Sequence, residues 1–446
     1  MSVGHRVQRH PGTGYSATRG PGTIKMERLF INIKELVGVQ QESALKTGAA
    51  MDDLGGIKDA FLYVQEGKIA QYGPMAEMPE NLKEMAGNSL LQSGTVVDAT
   101  GRFVMPAFCD SHTHLVYAGS REQEFTDKIK GLSYQEIARR GGGILNSAKL
   151  LSDTSEEKLY SSAYQRAQEI MRQGTGAVEI KSGYGLNPAD EIKMLRVIAR
   201  LKEGTPLTIK STFLGAHAFP AKYANDHNGY VEEIINEMIP MVAAEGLADY
   251  IDAFCEEGFF SVEDTDRIFN AGIKYGLRPK VHANQMGFSG GVQVGVKYGA
   301  RSVDHLESTG PDEFSALKGS DTIATILPGA TFFLNMQYAP ARQLIDAGIP
   351  VAMASNYNPG SCPSGSLQFQ MALACIAMKL TPAEALNACT INGAFAMDVD
   401  DILGGITVGK QANLILTKGI PSVDFIPYAF TTPFIEELYI GGKGML

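Results

Sequence analysis

The sequence has few cysteines, and they are not arranged as in a disulfide framework or a zinc knuckle. Its 446 residues include five cysteines, which are scattered along the chain without CxxC spacing. Small secreted domains carry an even, closely spaced set of cysteines, and structural zinc sites use paired ones. We therefore expect a cytoplasmic protein whose cysteines are small apolar core residues.

Long apolar runs and an excess of positive charge are also absent. No apolar run approaches the roughly 20 residues that a membrane-spanning helix needs. The formal net charge is −10, whereas nucleic acids and anionic membranes favour a basic protein surface. We expect neither a nucleic-acid partner nor a membrane partner.

Residues 1–25 differ in composition from the rest of the chain. They contain several basic residues, no acidic residue and many Gly, Ser, Thr and Pro. Because the segment lacks an apolar h-region, it is not a secretory signal, and its weak apolar patterning disfavours a transit peptide. We interpret residues 1–25 as a disordered extension, with Met26 as the functional start.

Segments rich in β-branched and apolar residues lie near both ends of the remaining chain. The predicted strand segments are Arg28–Gln40, Phe61–Tyr72, Thr95–Phe103, Ala412–Thr417 and Ile435–Ile440, with turn residues such as Glu66 and Gly67 among them. Such segments at both ends predict a small β-sandwich domain built from residues 26–103 and 401–446.

The middle of the chain, residues 104–400, alternates between strand and helix patterns. Eight short apolar runs are Val104–His114, Gly176–Gly183, Leu207–His217, Tyr250–Gly258, Leu277–Asn284, Ala300–Glu307, Thr322–Gly329 and Pro350–Gly360. Helical patterns between them include Tyr160–Gln173, Asp190–Lys202, Tyr230–Ala244 and Ser261–Tyr275. The alternation predicts an α/β fold with a (β/α)₈ TIM-like barrel. A doubly wound sheet is disfavoured, because no GxGxxG motif follows the first strand.

Histidines collect at the carboxyl ends of the predicted barrel strands, where catalytic groups of such barrels lie. Of eight histidines, five are at strand ends: His112, His114, His217, His282 and His305. Residues i and i+2 of a strand project to the same side, so the imidazoles of His112 and His114 can reach one ion. Imidazole ligands suit zinc, iron or nickel. The pattern predicts a metal site.

Several motifs resemble a known family of enzymes. The segment Val104–His114 resembles the first-strand signature of the amidohydrolase superfamily. Within that superfamily, His114–Glu122 (HLVYAGSRE), Lys181–Leu186 (KSGYGL), His282–Gln285 (HANQ) and Asn358–Ser361 (NPGS) are similar to imidazolonepropionases. The resemblance implies hydrolysis of the cyclic amide 4-imidazolone-5-propanoate to N-formimidoyl-L-glutamate in histidine degradation. It also implies a homodimer.

The resemblance implies a role for individual residues. His112, His114 and His282 would bind one divalent metal ion, zinc or iron, that activates water, and His305 would act as acid/base or stabilise an oxyanion. Arg121 would hold the carboxylate of the anionic substrate, since its planar fork forms two hydrogen bonds. The other implied substrate contacts are Tyr184, His217, Gln285, Asn358, Gly360 and Ser361. Lys181 is interpreted as structural, because the resemblance is to a mononuclear subtype.

One position departs from the superfamily pattern. The last barrel strand of amidohydrolases ends in an aspartate that contacts the metal and accepts a proton, and here Asn356 stands at that position. An amide oxygen is a weaker ligand, and an amide is no general base near neutral pH. Either His305 or Glu256/Glu257 accepts the proton instead, or the chain is a damaged or repurposed relative that still binds substrate.

Three functions therefore compete. The first is an imidazolonepropionase-type hydrolase with activity reduced by Asn356. The second is a related deaminase or cyclic amidohydrolase, which Arg121 and the Asn358–Ser361 segment disfavour because they suit an anionic substrate. The third is an inactive relative that binds metal and ligand without turnover.

Overall fold

The computed structural model describes residues 26–87, 94–132, 136 and 143–445, so the predicted extension at 1–25 lies outside the described residues. Its strands are β1 Glu27–Val37, β2 Gly56–Gln65, β3 Lys68–Pro74, β4 Val96–Asp98, β5 Phe103–Pro106, β6 Phe108–Thr113, β7 Thr175–Lys181, β8 Thr208–Ala216, β9 Tyr250–Cys255, β10 Arg278–Pro279, β11 Val281–Ala283, β12 Ser302–His305, β13 Ile323–Ile326, β14 Val351–Met353, β15 Leu414–Thr417, β16 Ile435–Ile440 and β17 Lys443–Gly444. Its α-helices are Glu80–Gly87, Glu122–Ile129, Ile144–Ser152, Glu156–Arg172, Pro188–Gly204, His227–Glu233, Ile239–Glu245, Val262–Lys274, Gly291–Lys297, Pro311–Leu317, Pro328–Leu334, Ala341–Asp346, Leu367–Met378, Pro382–Cys389, Ile391–Ala396 and Phe425–Tyr428.

Strands from both ends of the described chain form one sheet, in the order β17-β16-β15-β5-β1-β2-β3 with β4 beside β1. The ends meet where β15 pairs antiparallel with β5. The predicted segment Phe61–Tyr72 is a hairpin of β2 and β3, in which Glu66 and Gly67 both have positive φ, as a tight hairpin turn requires. Residues of this sheet form most of a separate apolar cluster that includes Phe30, Val104 and Leu414.

The second sheet is a barrel of parallel strands in the order β14-β13-β12-β11-β9-β8-β7-β6, with the short β10 beside β9. Each strand overlaps one of the eight predicted runs, with β7 beginning one residue before its run, which confirms the predicted fold class. The barrel is closed by hydrogen bonds from the His114 N–H to the Tyr357 carbonyl (2.9 Å) and from the Asn356 N–H to the His112 carbonyl (3.0 Å). The domain limits at 103/104 and 400/401 stay a prediction; β5 runs across the first of them.

The helices between the barrel strands begin where the sequence supplies capping side chains. Ser155 accepts a hydrogen bond from the Lys158 N–H, and Ser261 forms a capping box with Asp264. The predicted helix Tyr230–Ala244 differs, because a π-helical segment at Ile234–Met238 interrupts it. Pro240 follows that segment and has no N–H to donate, which explains the break in the α-helical pattern. Within the described ranges, no helix is both long and apolar enough to cross a membrane.

Candidate metal centre and active site

The five histidines that the sequence places at strand ends meet at the carboxyl end of the barrel. Ring centroids of His112 lie 5.3 Å from His114, 4.5 Å from His282 and 5.8 Å from His305. His217 stacks on His114 at 5.4 Å with nearly parallel ring planes. Four of these side chains are buried and His217 is half-buried. Parallel strands bring their carboxyl ends to one end of a barrel, which is why residues so distant in sequence lie together.

Two buried aspartates orient two of these imidazoles. Nδ1 of His112 lies 2.6 Å from Oδ2 of Asp304 in β12. Nδ1 of His282 lies 3.0 Å from Oδ2 of Asp252 in β9, whose other oxygen accepts from the His282 backbone N–H at 3.2 Å. With Nδ1 of each ring facing a carboxylate, Nε2 of each ring is the nitrogen left to bind a ligand. No local motif points to Asp252, and Asp304 stands out in the sequence only as the neighbour of His305.

The remaining ring nitrogens are suited to a metal ion. Among the described residues, Nε2 of His112, Nδ1 of His114 and both ring nitrogens of His282 are buried without a hydrogen-bond partner. The 3.0 Å contact between Nδ1 of His282 and Asp252 is thus an ion-pair distance without hydrogen-bond geometry. Burial lowers the pKa of all three imidazoles and the Lys181 ammonium lowers it further, while the Asp252 carboxylate partly opposes the shift at His282 and His114, so the rings are neutral near pH 7. Buried polar atoms without partners are rare, and neutral imidazole nitrogens are ordinary zinc ligands. The donor set therefore fits a divalent ion.

A second grouping of the histidines is tighter. The ligand atoms of His112, His282 and His305 all lie within 4.8 Å of one another, whereas His114 is not part of that group. Nδ1 of His305, however, lies 3.4 Å from Oε1 of Glu307, which also accepts from the Thr331 hydroxyl at 2.8 Å. The geometry thus allows His114 or His305 as the third ligand, and the predicted set of His112, His114 and His282 stays a prediction.

The backbone at His305 is held in an unusual conformation. His305 has a φ of 89° and Leu306 has a φ of 71°, a region that non-glycine residues rarely adopt. Such strain persists only where the surroundings fix the chain, and it is common at functional sites. Here this backbone conformation directs the imidazole of His305 toward the other histidines, while the carboxylate of Glu307 lies beside its Nδ1.

The loop after β14 places Asn356 and Asn358 beside the histidines. The side-chain amide of Asn358 donates to Oδ1 of Asn356 (3.0 Å) and to its carbonyl (2.7 Å). Oδ1 of Asn358 accepts from the backbone N–H groups of Gly360 and Ser361, each at 2.8 Å. The amide of Asn358 therefore shapes the tight turn as well as lining the cavity.

Arg121 lies on the wall of the same cavity. Its Nη2 donates to Oε2 of Glu124 at 2.5 Å, and the other oxygen of Glu124 accepts from the Gly143 N–H at 2.7 Å. Gly360 packs against the guanidinium so closely that a Cβ at this position would overlap Nη1 of Arg121. Nε of Arg121 is buried without a partner among the described residues. The guanidinium is thus fixed on one side and retains donor capacity on another.

The cavity contains eleven of the twelve predicted site residues, and His112 lies buried beneath it. The predicted residues that line it are His114, Arg121, Tyr184, His217, His282, Gln285, His305, Asn356, Asn358, Gly360 and Ser361. Lining residues that the sequence did not indicate are Lys128, Ile144, Phe254, Phe259, Met286 and Leu334. Lys128 follows Glu124 by one helical turn, a spacing that could have pointed to it. The apolar residues carry no such signal.

Comparisons with known proteins agree with this site. The sequence model of the amidohydrolase family matches residues 297–443. The imidazolonepropionase of Flavobacterium johnsoniae is 53% identical over 419 residues, covering 94% of this chain and all of the relative. That of Geobacillus kaustophilus is 40% identical over 420 residues, covering 94% of this chain and 98% of the relative.

Solved structures with low sequence identity share the fold. Guanine deaminase of E. coli superimposes with a TM-score of 0.71 at 13% identity, covering 94% of this chain and 99% of that one. An adenosine deaminase from Xanthomonas campestris with bound zinc superimposes with a TM-score of 0.65 at 16% identity, with 94% and 92% covered. These solved structures show the fold, and the curated relatives show the family. The chain belongs to the imidazolonepropionase family of amidohydrolases.

Proposed function

We propose that this protein is a metal-dependent hydrolase that converts 4-imidazolone-5-propanoate and water to N-formimidoyl-L-glutamate. One observation carries the proposal: His114 and His282, with unpartnered imidazole nitrogens, line the same cavity as the guanidinium of Arg121, and His112 lies directly beneath it. A cyclic amide with a carboxylate side chain matches both features. The relatives named imidazolonepropionase support the same substrate.

The residues at the cavity floor are the proposed metal site. His112, His114 and His282 bind one divalent ion, zinc or iron, and Oδ1 of Asn356 is a weak fourth ligand. Zinc is the metal in the adenosine deaminase structure of similar fold. When bound, such an ion acts as a Lewis acid that activates water and polarises an amide carbonyl.

The walls of the cavity are the proposed substrate site. Arg121 binds the propionate carboxylate with the donors that Glu124 leaves free, since a guanidinium forms strong paired hydrogen bonds to a carboxylate. The rings of Tyr184 and His217, with centroids 5.5 Å apart, form one wall of the cavity and contact the same side of the substrate ring. The remaining proposed contacts come from Gln285, Asn358, Gly360 and Ser361.

Proton transfer is assigned to His305. Asn356 has no basic group, so another residue must take the proton of the attacking water and deliver one to the departing ring nitrogen. His305 lines the cavity, and Glu307 orients it. Glu256 uses one oxygen to accept from the Met286 N–H at 2.8 Å, and Glu257 is exposed. His305 is therefore favoured over both glutamates.

A second candidate function rests on Asn356. A relative that binds metal and ligand without turnover would keep the same cavity and lose only the catalytic carboxylate. Ligand would then raise the unfolding temperature of the protein, because a ligand that binds only the folded state stabilises it, but no product would form.

We also propose a cytoplasmic location, which suits five unpaired cysteines, and a homodimer, which rests on the family resemblance.

The reaction is tested by mass spectrometry of the product formed in heavy-oxygen water. Hydrolytic ring opening adds the elements of one water to the substrate and places one heavy oxygen in the new carboxylate. Release of ammonia from the ring would indicate a deaminase instead. Unchanged substrate with metal bound would favour the inactive relative.

A further inference from the structure

A fully buried lysine lies directly beneath the histidine cluster. Lys181 ends β7, and its Nζ contacts three carboxylates: Glu179 at 2.6 Å, Asp252 at 2.9 Å and Asp304 at 3.7 Å. All four side chains have no solvent-exposed surface. An ammonium group is costly to bury, and here the surrounding carboxylates compensate that cost.

Two of these carboxylates are the groups that hold imidazoles. Oδ2 of Asp304 contacts both Lys181 and Nδ1 of His112, and Oδ2 of Asp252 contacts both Lys181 and Nδ1 of His282. The same oxygen atom therefore faces the ammonium on one side and the imidazole on the other. One side chain from β7 connects β9 and β12 across the barrel interior, and through them it reaches two rings of the metal site.

The ammonium group of Lys181 stabilises the two buried aspartates beside each other. Asp252 and Asp304 are close together and buried, so without a cation between them their negative charges would repel. One aspartate would then turn away from the other and from its imidazole. That movement removes the carboxylate that lies against Nδ1 of His112 or His282, and with it the support that orients Nε2 toward the metal site.

We propose that Lys181 is a positioning residue for the metal centre, which fixes the orientation of His112 and His282 through Asp304 and Asp252. The proposal rests on the metal site described under the proposed function. It replaces the view of Lys181 as a purely structural residue. It also disfavours a carboxylated lysine at this position, since a carbamate would add a fourth negative charge to a buried group of three.

A second buried lysine provides a matched control. Lys280 is fully buried in the same network and forms an ion pair with Glu179. Its Nζ also donates to the carbonyls of Ser111 (3.0 Å) and Ala396 (3.2 Å). Unlike Lys181, it forms no ion pair with Asp252 or Asp304 among the described residues. Replacing either lysine by methionine removes one buried cation, and both cations favour the charged form of Asp304. Only Lys181→Met, however, removes a side chain that directly contacts both aspartates beside the histidines.

The test is the zinc dissociation constant of full-length, metal-stripped protein, measured by competition with a chromogenic chelator. Loss of a residue that supports metal ligands typically weakens metal binding about 10- to 100-fold. We expect that loss for Lys181→Met, and a change below about threefold for Lys280→Met. Circular dichroism of the metal-free proteins reports folding independently of metal and of turnover. Lys181→Gln, which keeps an N–H donor of similar reach, is measured alongside.

Two results would overturn the inference. One is a folded Lys181 variant that binds zinc within threefold of the parent. The other is loss of folding in both Lys181 variants while Lys280→Met folds, because Lys181 would then be structural. If the parent itself bound no zinc, the proposed metal site would fail, whereas zinc binding without turnover would leave this inference standing and refute only the proposed reaction.

Discussion

Replacing Asn356 by aspartate should raise the turnover rate of this protein. Asn356 is buried, and its backbone N–H donates a hydrogen bond to the His112 carbonyl. Position 356 is therefore fixed beside the predicted metal ligands. Asn356 has a φ of 53°, a conformation that aspartate also tolerates. Oδ1 of the new carboxylate can still accept from Asn358, and the side-chain volume hardly changes. The substitution therefore adds a charge and a base without a steric cost.

The expected gain follows from the chemistry of that base. A positioned general base contributes about 10²–10⁴-fold to rate, equivalent to about 3–5 kcal/mol of activation free energy. The added negative charge should also tighten zinc binding, because a carboxylate is a stronger ligand than an amide. We expect kcat to rise within that range for Asn356→Asp, measured at saturating zinc.

The control is Asn335→Asp, which makes the same chemical change at an exposed residue with a φ of 54°. It should leave kcat unchanged. Equal kcat values for the parent and Asn356→Asp would refute the reasoning, and His305 would then be sufficient as the base.

Three further predictions concern the cavity and the metal. Gly360→Ala should displace the guanidinium of Arg121 and cost about 1.5–3 kcal/mol, an increase in KM of about 10- to 100-fold. Gly287→Ala, where an added Cβ meets nothing within 4 Å, should keep the parent KM, and equal KM values in both variants would contradict this role. His114→Ala should weaken zinc binding while His305→Ala lowers kcat and retains zinc; the reverse pattern in a chelator titration would assign His305 as the ligand. Zinc at about 100 times its dissociation constant should stabilise the folded protein by about 2.7 kcal/mol, and an unfolding free energy that does not depend on zinc would contradict a site in the native state.

The barrel could be predicted because short apolar strand patterns alternate with helical patterns along the middle of the sequence. Each predicted run ends in a polar or Gly residue beyond the end of its strand. The sequence therefore predicts that the histidines lie at one end of the barrel. Pro240 and the π-helical segment before it were not expected, because apolar periodicity does not distinguish a continuous helix from one that a missing N–H donor interrupts.

The site was predictable only where its residues form local motifs. His112 and His114 share one strand, and Asn358–Ser361 form one turn. Lys181, Asp252 and Asp304 lie on three strands that are far apart in sequence. Their contacts depend on the folded barrel, so no local sequence motif predicts them. The same holds for Gly360, whose contact with Arg121 depends on the loop after β14 meeting the segment after β6.

The most direct test of the proposed reaction is turnover of 4-imidazolone-5-propanoate by the zinc- or iron-loaded protein, followed as loss of ring absorbance. Metal-stripped protein measured in parallel is the control. The account predicts turnover that requires the metal, at a rate that Asn356 limits. Absence of turnover by the parent and by Asn356→Asp, with metal bound in both, would contradict the proposed function and leave a protein that binds metal and ligand without catalysis.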